Sequence, residues 1–320
     1  MKRSWMRSCA KAFAFGALWI LGCAPLPKTG LIRAVLDSHP AISVQIGQMA
    51  KVPDLTKRVT NRKPNPEGKI LILEYHKLSA KNGLLDRTPA KFKSDLKRLY
   101  ELGYRPVTVT EWQDKRMPLP PGASPVIMTF DDAQDSQLRF KKDGSLDSNC
   151  FVGIWKQFAV EHPDFPVHAT FFILPKYPFG QTSHVKDKIK MLQEMGSEIG
   201  SHTYHHPNLA ICSDDAVKAE IADSLDWLEK EFGVTNVPLA FPYGNKPRHM
   251  DIVKGFEWNG KEYHVRCCLL AAGQPAEPLT SKKYNPWIIP RVVVCEREGG
   301  STYWLRVMQT GKKFAPYVAS

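Results

Sequence analysis

From Lys69 onward the chain alternates between short apolar runs and stretches whose apolar residues recur every three or four positions. Ile70-Leu71-Ile72-Leu73 is an almost unbroken apolar run, the pattern of a strand covered on both faces. Pro89 to Leu102 places apolar residues at 92, 96, 99 and 102, which predicts a helix. Val126-Ile127-Met128 and Ala169 to Leu174 predict the next buried strands, with helical sequence between them. Val185 to Met195 reads as a helix closing at Gly196, and Glu198-Ile199-Gly200 as a short strand. Ser213 caps a further helix that carries acids at 214, 215 and 220 and runs to Phe232-Gly233. Leu239 to Phe241, Cys267 to Leu270 and Ile288 to Val294 supply three more strands. About seven βα-like units in one stretch predict an α/β fold, a parallel barrel rather than an open sheet. We assign residues 69–310 to this single domain and 311–320 to a tail.

The first 68 residues follow a different pattern. Ala12 to Gly22 is an uncharged run preceded by Lys2, Arg3, Arg7 and Lys11. Eleven residues are too few to span a bilayer as a helix but fit the apolar region of a signal peptide. The run ends in Ile20-Leu21-Gly22-Cys23, which resembles the bacterial lipobox, with plain cleavage nearby as the alternative. Residues 1–23 are therefore expected to be a signal peptide, with Cys23 as a lipid anchor. Residues 24–68, rich in Pro and basic side chains, are expected to be a tether. The expected location is the periplasm or cell surface, as a membrane-anchored lipoprotein.

Charge sharpens this division. The 320 residues carry a formal charge of +12, which alone invites a nucleic-acid partner. Residues 1–68 hold +8 of it, and the remainder has no basic, aromatic-interleaved patch, so nucleic acid is excluded. A hydrophobic fraction of 43 % excludes a disordered chain. Of seven cysteines, five lie in the body without a C-x-x-C, which argues against a zinc ribbon. They suit either one disulfide through Cys267 or Cys268, or buried free thiols.

Candidate chemistry collects just past the predicted strands, where barrels build their sites. Asp131-Asp132 follows the Val126 strand, and two adjacent buried carboxylates need a cation or a proton between them. The alternative is an Asp turn bonding its own backbone. His202 and His206, four apart after the Glu198 strand, would share one side of a helical turn as two metal ligands, with His205 pointing elsewhere. Two imidazoles and one carboxylate leave coordination positions open for water and substrate. Pro242-Tyr243-Gly244 makes a turn at a third strand end.

The segments TFDD (129–132), HATFF (168–172), EIGSHTYHH (198–206) and AFPYG (240–244), in this order, resemble the polysaccharide deacetylases. This is the nodulation-factor deacetylase homology group, carbohydrate esterase family 4. The resemblance implies a distorted (β/α) barrel and one divalent ion, zinc first, with cobalt, nickel, manganese or iron as alternatives. It implies Asp132, His202 and His206 as metal ligands, Asp131 as general base, and the Tyr243 backbone N–H as oxyanion donor. The implied substrate is a glycan polymer, and a monomer is expected.

Three departures stand out. Ala240 occupies the place of a common Arg, and no late Leu-x-His supplies a general acid. The chain is similar instead to the F-A-Y-P-Y-G branch, which includes poly-β-1,6-N-acetylglucosamine deacetylases and carries a Tyr-His after its first strand. That similarity suggests His76 as the general acid and Arg291 as the partner of Asp131. Ala133 replaces a usual Gly, a mild change if its backbone is not left-handed. Gln134 to Pro166 is a long segment before HATFF, expected either to shape a glycan groove or to be a solvated insertion. Trp155 and Trp287 are candidates for stacking on sugar rings, with burial in the core as the alternative. Competing functions are a catalytically silent carbohydrate-binding module on the same barrel and a deacylase of another small amide.

Overall fold

The apolar runs pair side by side and in parallel, as strands buried on both faces must. The computed structural model describes residues 54–175, 178–271 and 273–320. Its strands are β1 (Leu71–Tyr75), β2 (Lys77–Leu78), β3 (Asp86–Arg87), β4 (Tyr104–Pro106), β5 (Ser124–Phe130), β6 (Thr170–Ile173), β7 (Glu198–Ser201), β8 (Leu239–Ala240), β9 (Phe256–Trp258), β10 (Lys261–Tyr263), β11 (Cys268–Leu269) and β12 (Val292–Val293). Its helices are α1 (Pro89–Glu101), α2 (Val109–Gln113), α3 (Phe151–Glu161), α4 (Val185–Glu194), α5 (Asp214–Phe232) and α6 (Ser301–Thr310).

Seven strands follow the order β11-β8-β7-β6-β5-β1-β12, and β4 adds to the start of β5. β1 pairs along its whole length with β5, from Leu71 against Val126 to Tyr75 against Phe130. One segment joins the two ends of the sheet. Ile289 bridges to Leu269 on β11, while Val292 and Val293 pair with Leu73 and Glu74 on β1. The sheet thus curls into a distorted (β/α) barrel.

Strand alternation sorts the side chains. Leu71, Leu73, Tyr75, Val126, Met128 and Phe130 point outward into one cluster with Phe92 and Leu96 of α1 and Phe151 and Trp155 of α3. Ile72, Ile127, Phe172, Ala240, Leu269 and Ile289 fill the interior. The inward parity of β1 and β5 next reaches Glu74, Thr129 and Asp131, so the apolar plug of the barrel ends in a polar layer.

Caps fix the helix ends as their sequences dictate. Thr88 caps α1 and Ser213 caps α5 through side-chain bonds, and α5 stops at Gly233 in the left-handed conformation. The Gln134–Pro166 segment differs from its expectation. Its second half is α3, and Trp155 is fully buried with its indole N–H on Phe165 O at 3.1 Å, so it is a core residue, not a sugar platform. Trp287 is half-buried against the cluster around Leu239 and Phe241.

Both ends of the described chain close the bottom of the barrel. Val59 N–H donates to Pro121 O at 2.9 Å, Thr60 Oγ1 donates to Gly122 O at 2.6 Å, and Asn65 bridges to Val318. Residues from Val59 on, within the stretch expected to be a tether, are bonded to the barrel. Val318 and Ala319, in the expected tail, are buried. The expected signal peptide, Cys23 and the tether up to residue 53 lie outside the described residues. Cys150, Cys212, Cys267, Cys268 and Cys295 are free thiols.

Candidate active site

Arg291 enters the barrel from the segment that joins its two ends, and no part of it is exposed. Its terminal nitrogens bond both Asp131 oxygens at 2.7 Å each, its Nη1 also donates to Thr129 Oγ1 at 3.0 Å, and its Nε donates to Leu270 O at 2.7 Å. A bidentate guanidinium is the strongest neutral-pH partner available to a buried carboxylate. Burial opposes the charge on Asp131, but Arg291, followed by His202, holds its pKa below the ordinary carboxylate value. Asp131 is therefore ionised at neutral pH. Gln137 fixes the backbone on this side by donating to the carbonyls of His76 and Asp131.

Beside this pair, three side chains converge. The Nε2 atoms of His202 and His206 each lie 3.3 Å from Asp132 Oδ1 and 3.2 Å from one another. Ligand corners around a tetrahedral ion at about 2.0–2.1 Å are about 3.3–3.4 Å apart, so this triangle is one face of such a site. His202 Nδ1 lies 2.9 Å from Ala240 O, and a carbonyl can only accept. The Nδ1 proton is thereby fixed, and the Nε2 lone pair faces Asp132 and His206. Burial raises the pKa of Asp132, but the His202 and His206 imidazoles beside it outweigh this and lower that pKa far below the carboxylate range. An ionised carboxylate and an outward-facing imidazole lone pair fit a divalent cation.

The helical turn expected over 202–206 is not formed. Ser201 ends β7, and the chain turns back through Thr203 (φ 64°) and His206 (φ 62°), both left-handed. His206 N–H donates to Thr203 Oγ1 at 3.1 Å, and Thr203 N–H donates to Ser201 Oγ at 3.2 Å. A strained loop, not helical periodicity, brings the two imidazoles together. His205 points away, with its N–H and Nδ1 against Glu220.

Asp132 (φ 71°), Ala133 (φ 48°) and Tyr243 (φ 58°) are also left-handed. Five non-glycine residues in this conformation surround one small volume, the concentration of backbone strain found at functional sites. Ala133 is thus not a mild replacement, because its backbone demands what Gly adopts freely. The Tyr243 ring is two-thirds exposed and meets the His206 ring edge-on at 4.7 Å.

The polysaccharide deacetylase family profile matches residues 119–256. The chain is 28 % identical over 232 residues to the Bacillus subtilis polysaccharide deacetylase relative YxkH, covering 69 % of each. Over residues 119–256, then, this chain matches a polysaccharide deacetylase domain. Among solved structures it shares its fold with the Streptococcus pyogenes deacetylase PplD, solved in complex with acetate, at 19 % identity and a TM-score of 0.57. That match covers 77 % of this chain and 99 % of that chain. IcaB from Ammonifex degensii matches at 18 % identity and a TM-score of 0.50, covering 72 % of this chain and 94 % of that one.

The polysaccharide deacetylases are hydrolases of N-acetyl amide bonds, and the matched interval holds Asp131, Asp132, His202, His206 and Tyr243. His76 and Arg291 fall outside it, yet the barrel brings both to Asp131. His76, Glu74 and Asp131 offer ligand atoms within 4.8 Å of one another. Arg291 lies against both carboxylates of this second group, so a guanidinium already supplies its positive charge. Sequence reasoning missed Glu74 and Gln137. The signal for Glu74 was its charge within Leu71–Tyr75, a run otherwise wholly apolar but for the Tyr75 hydroxyl.

Proposed function

We propose that this polysaccharide deacetylase removes N-acetyl groups from an N-acetylglucosamine-containing polysaccharide of the cell envelope. It would use one divalent ion, zinc first, held by Asp132, His202 and His206. The observation that carries this reading is the 3.2–3.3 Å triangle of those ligand atoms directly beside the ionised Asp131–Arg291 pair. A divalent cation there supplies Lewis-acid polarisation of the acetamide carbonyl and of the attacking water.

The chain's own residues divide the remaining work. Asp131, held by Arg291 with both oxygens oriented, takes the proton from water as it attacks. The Tyr243 backbone N–H stabilises the oxyanion. His76 protonates the departing nitrogen. The nearly neutral body suits an uncharged acetylated sugar. The affinity to the F-A-Y-P-Y-G branch favours an exopolysaccharide of the poly-β-1,6-N-acetylglucosamine kind over peptidoglycan. Export through residues 1–23 and anchoring at Cys23 would place the enzyme in the envelope where such polymers lie.

Acetate release from N-acetylglucosamine pentamers, measured with and without a chelator, tests this reading. Release that stops on chelation and returns with Zn²⁺ is the expected result. His206→Ala should lose bound metal and at least about 10²-fold in rate while remaining folded. Chelator-insensitive release, or none from any acetylated glycan, would overturn the proposal and favour a silent binding module.

A further inference from the structure

Glu74 is a buried carboxylate to which the mechanism above gives no part. It lies on the inward face of β1, two residues before His76, and is 2 % exposed. A carboxylate so placed loses its hydration and needs a cation beside it. Arg291 is one such cation, but its terminal nitrogens are spent on Asp131 and its Nε on Leu270 O. Glu74 Oε2 lies 3.5 Å from that Nε, near enough for attraction. The other carboxylate oxygen, Oε1, lies 3.7 Å from His76 Nε2. Glu74 thus stands between the guanidinium that fixes the base and the imidazole read as the acid. The opposite side of that imidazole gives no help, since Nδ1 is buried with no hydrogen-bond partner among the described residues.

We propose that Glu74 is the positioning residue of the general acid, its carboxylate anchored by Arg291 and holding the His76 imidazolium with Nε2 directed into the site. This rests on the reading of His76 as the proton donor. In the step concerned, the C–N bond of the tetrahedral intermediate breaks and its electron pair passes to nitrogen. The Nε2 proton goes to that nitrogen, leaving the sugar amine, acetic acid and a neutral imidazole. His76 then regains a proton from solvent, and the proton taken from water by Asp131 is released. Glu74 forms no bond to substrate; it orients the ring from which a proton must be delivered.

Leaving-group dependence separates this role from a merely structural one. An amide needs its nitrogen protonated to depart, whereas 4-nitrophenyl acetate releases a stable phenolate that needs no acid. The metal-loaded enzyme is assayed on both N-acetylglucosamine pentamer and 4-nitrophenyl acetate. Glu74→Gln, nearly isosteric, should lower the amide-to-ester ratio of kcat by about 10–100-fold with KM for the pentamer little changed. Glu74→Met serves as the second variant, with folding and metal content checked for each. The double variant Glu74→Gln/His76→Ala should be no slower on the amide than His76→Ala alone. An equal loss on both substrates, or losses that multiply in the double variant, would overturn the role of Glu74. If His76→Ala itself keeps the amide-to-ester ratio, the general-acid reading fails first and Glu74 with it. If His76→Ala collapses the ratio while both Glu74 variants keep it, only the present inference fails.

Discussion

Asp131 and Arg291 form a buried ion pair, and such a pair is costly to break from one side only. Arg291→Met would leave Asp131 and Glu74 with their charges unbalanced in the barrel, and should lower stability by about 3–5 kcal/mol. Adding Asp131→Asn to Arg291→Met should recover part of that loss, since one buried charge is removed with its partner. Urea denaturation of the two variants checks the order; a double variant less stable than the single one would contradict it. The same pair shows what a sequence can convey at this scale. Adjacent carboxylates at a strand end pointed to a cation, which for Asp131 is Arg291, and the spacing of His202 and His206 pointed to two imidazoles meeting at one place. The way those histidines meet was hidden, because it depends on left-handed Thr203 and His206, which no propensity favours. The strain at Ala133 was hidden for the same reason.

At the scale of the element, β7 and the residue after it concentrate three demands in five positions. These are Glu198 at the bottom of the barrel, Gly200 in the middle and, just past the strand, His202 at the mouth. A methyl group on Gly200 would meet the Phe172 ring at 2.6 Å and Pro238 O at 2.9 Å. Gly200→Ala should therefore cost about 1–3 kcal/mol and loosen the strand that carries His202, a change a thermal melt would register. Glu198 is half-buried, and desolvation raises its pKa against hydrogen bonds from Thr110 and Thr170. A raised carboxyl means the folded state holds its proton more tightly than the unfolded chain. The stability it brings is complete below the ordinary glutamate range and is lost as pH rises through the folded value. Glu198→Gln should flatten the fall in stability as pH rises above the ordinary glutamate range, read by chemical denaturation at a series of pH values. An unchanged pH slope would show that the carboxylate is compensated. Long elements such as α1 and α5 were legible from periodicity and caps. Short ones were not: β4 is Tyr-Arg-Pro, and Arg105 is buried with its charge met by Asp164, distant in sequence, at 2.6 Å.

Over the whole molecule, the deacetylase domain is wider than either its motifs or its family profile. The profile ends at residue 256, before Arg291, and begins at 119, after β1. A fragment cut to 119–256 would lose the five-residue pairing of β1 with β5 and leave Asp131 buried without its guanidinium, so it should not fold. The N-terminal limit at Lys69 is too tight as well. Much of the basic charge first ascribed to a tether belongs to Lys57, Arg58, Arg62 and Lys63, which run beside the barrel bottom. Arg62 is partly buried there, donating to Thr60 Oγ1 at 3.1 Å and to Gly122 O at 3.2 Å, and burial lowers its pKa. Thr60 bonds the same carbonyl, and Asn65 Nδ2 donates to Pro316 O at 2.9 Å, so the strap holds the C-terminal segment in place. That segment in turn covers β5, with Ala319 N–H on Ala123 O and Ser124 Oγ on Tyr317 O. Starting the chain at Lys69 instead of Asp54 removes the first layer and uncovers the second. The expected loss is about 3 kcal/mol or more, seen as a lower melting temperature. The catalytic end of the barrel lies at the opposite ends of the strands, so kcat on the pentamer well below the melting temperature should stay within about twofold. A large fall in kcat with no change in melting temperature would mean that the strap serves the site rather than the fold.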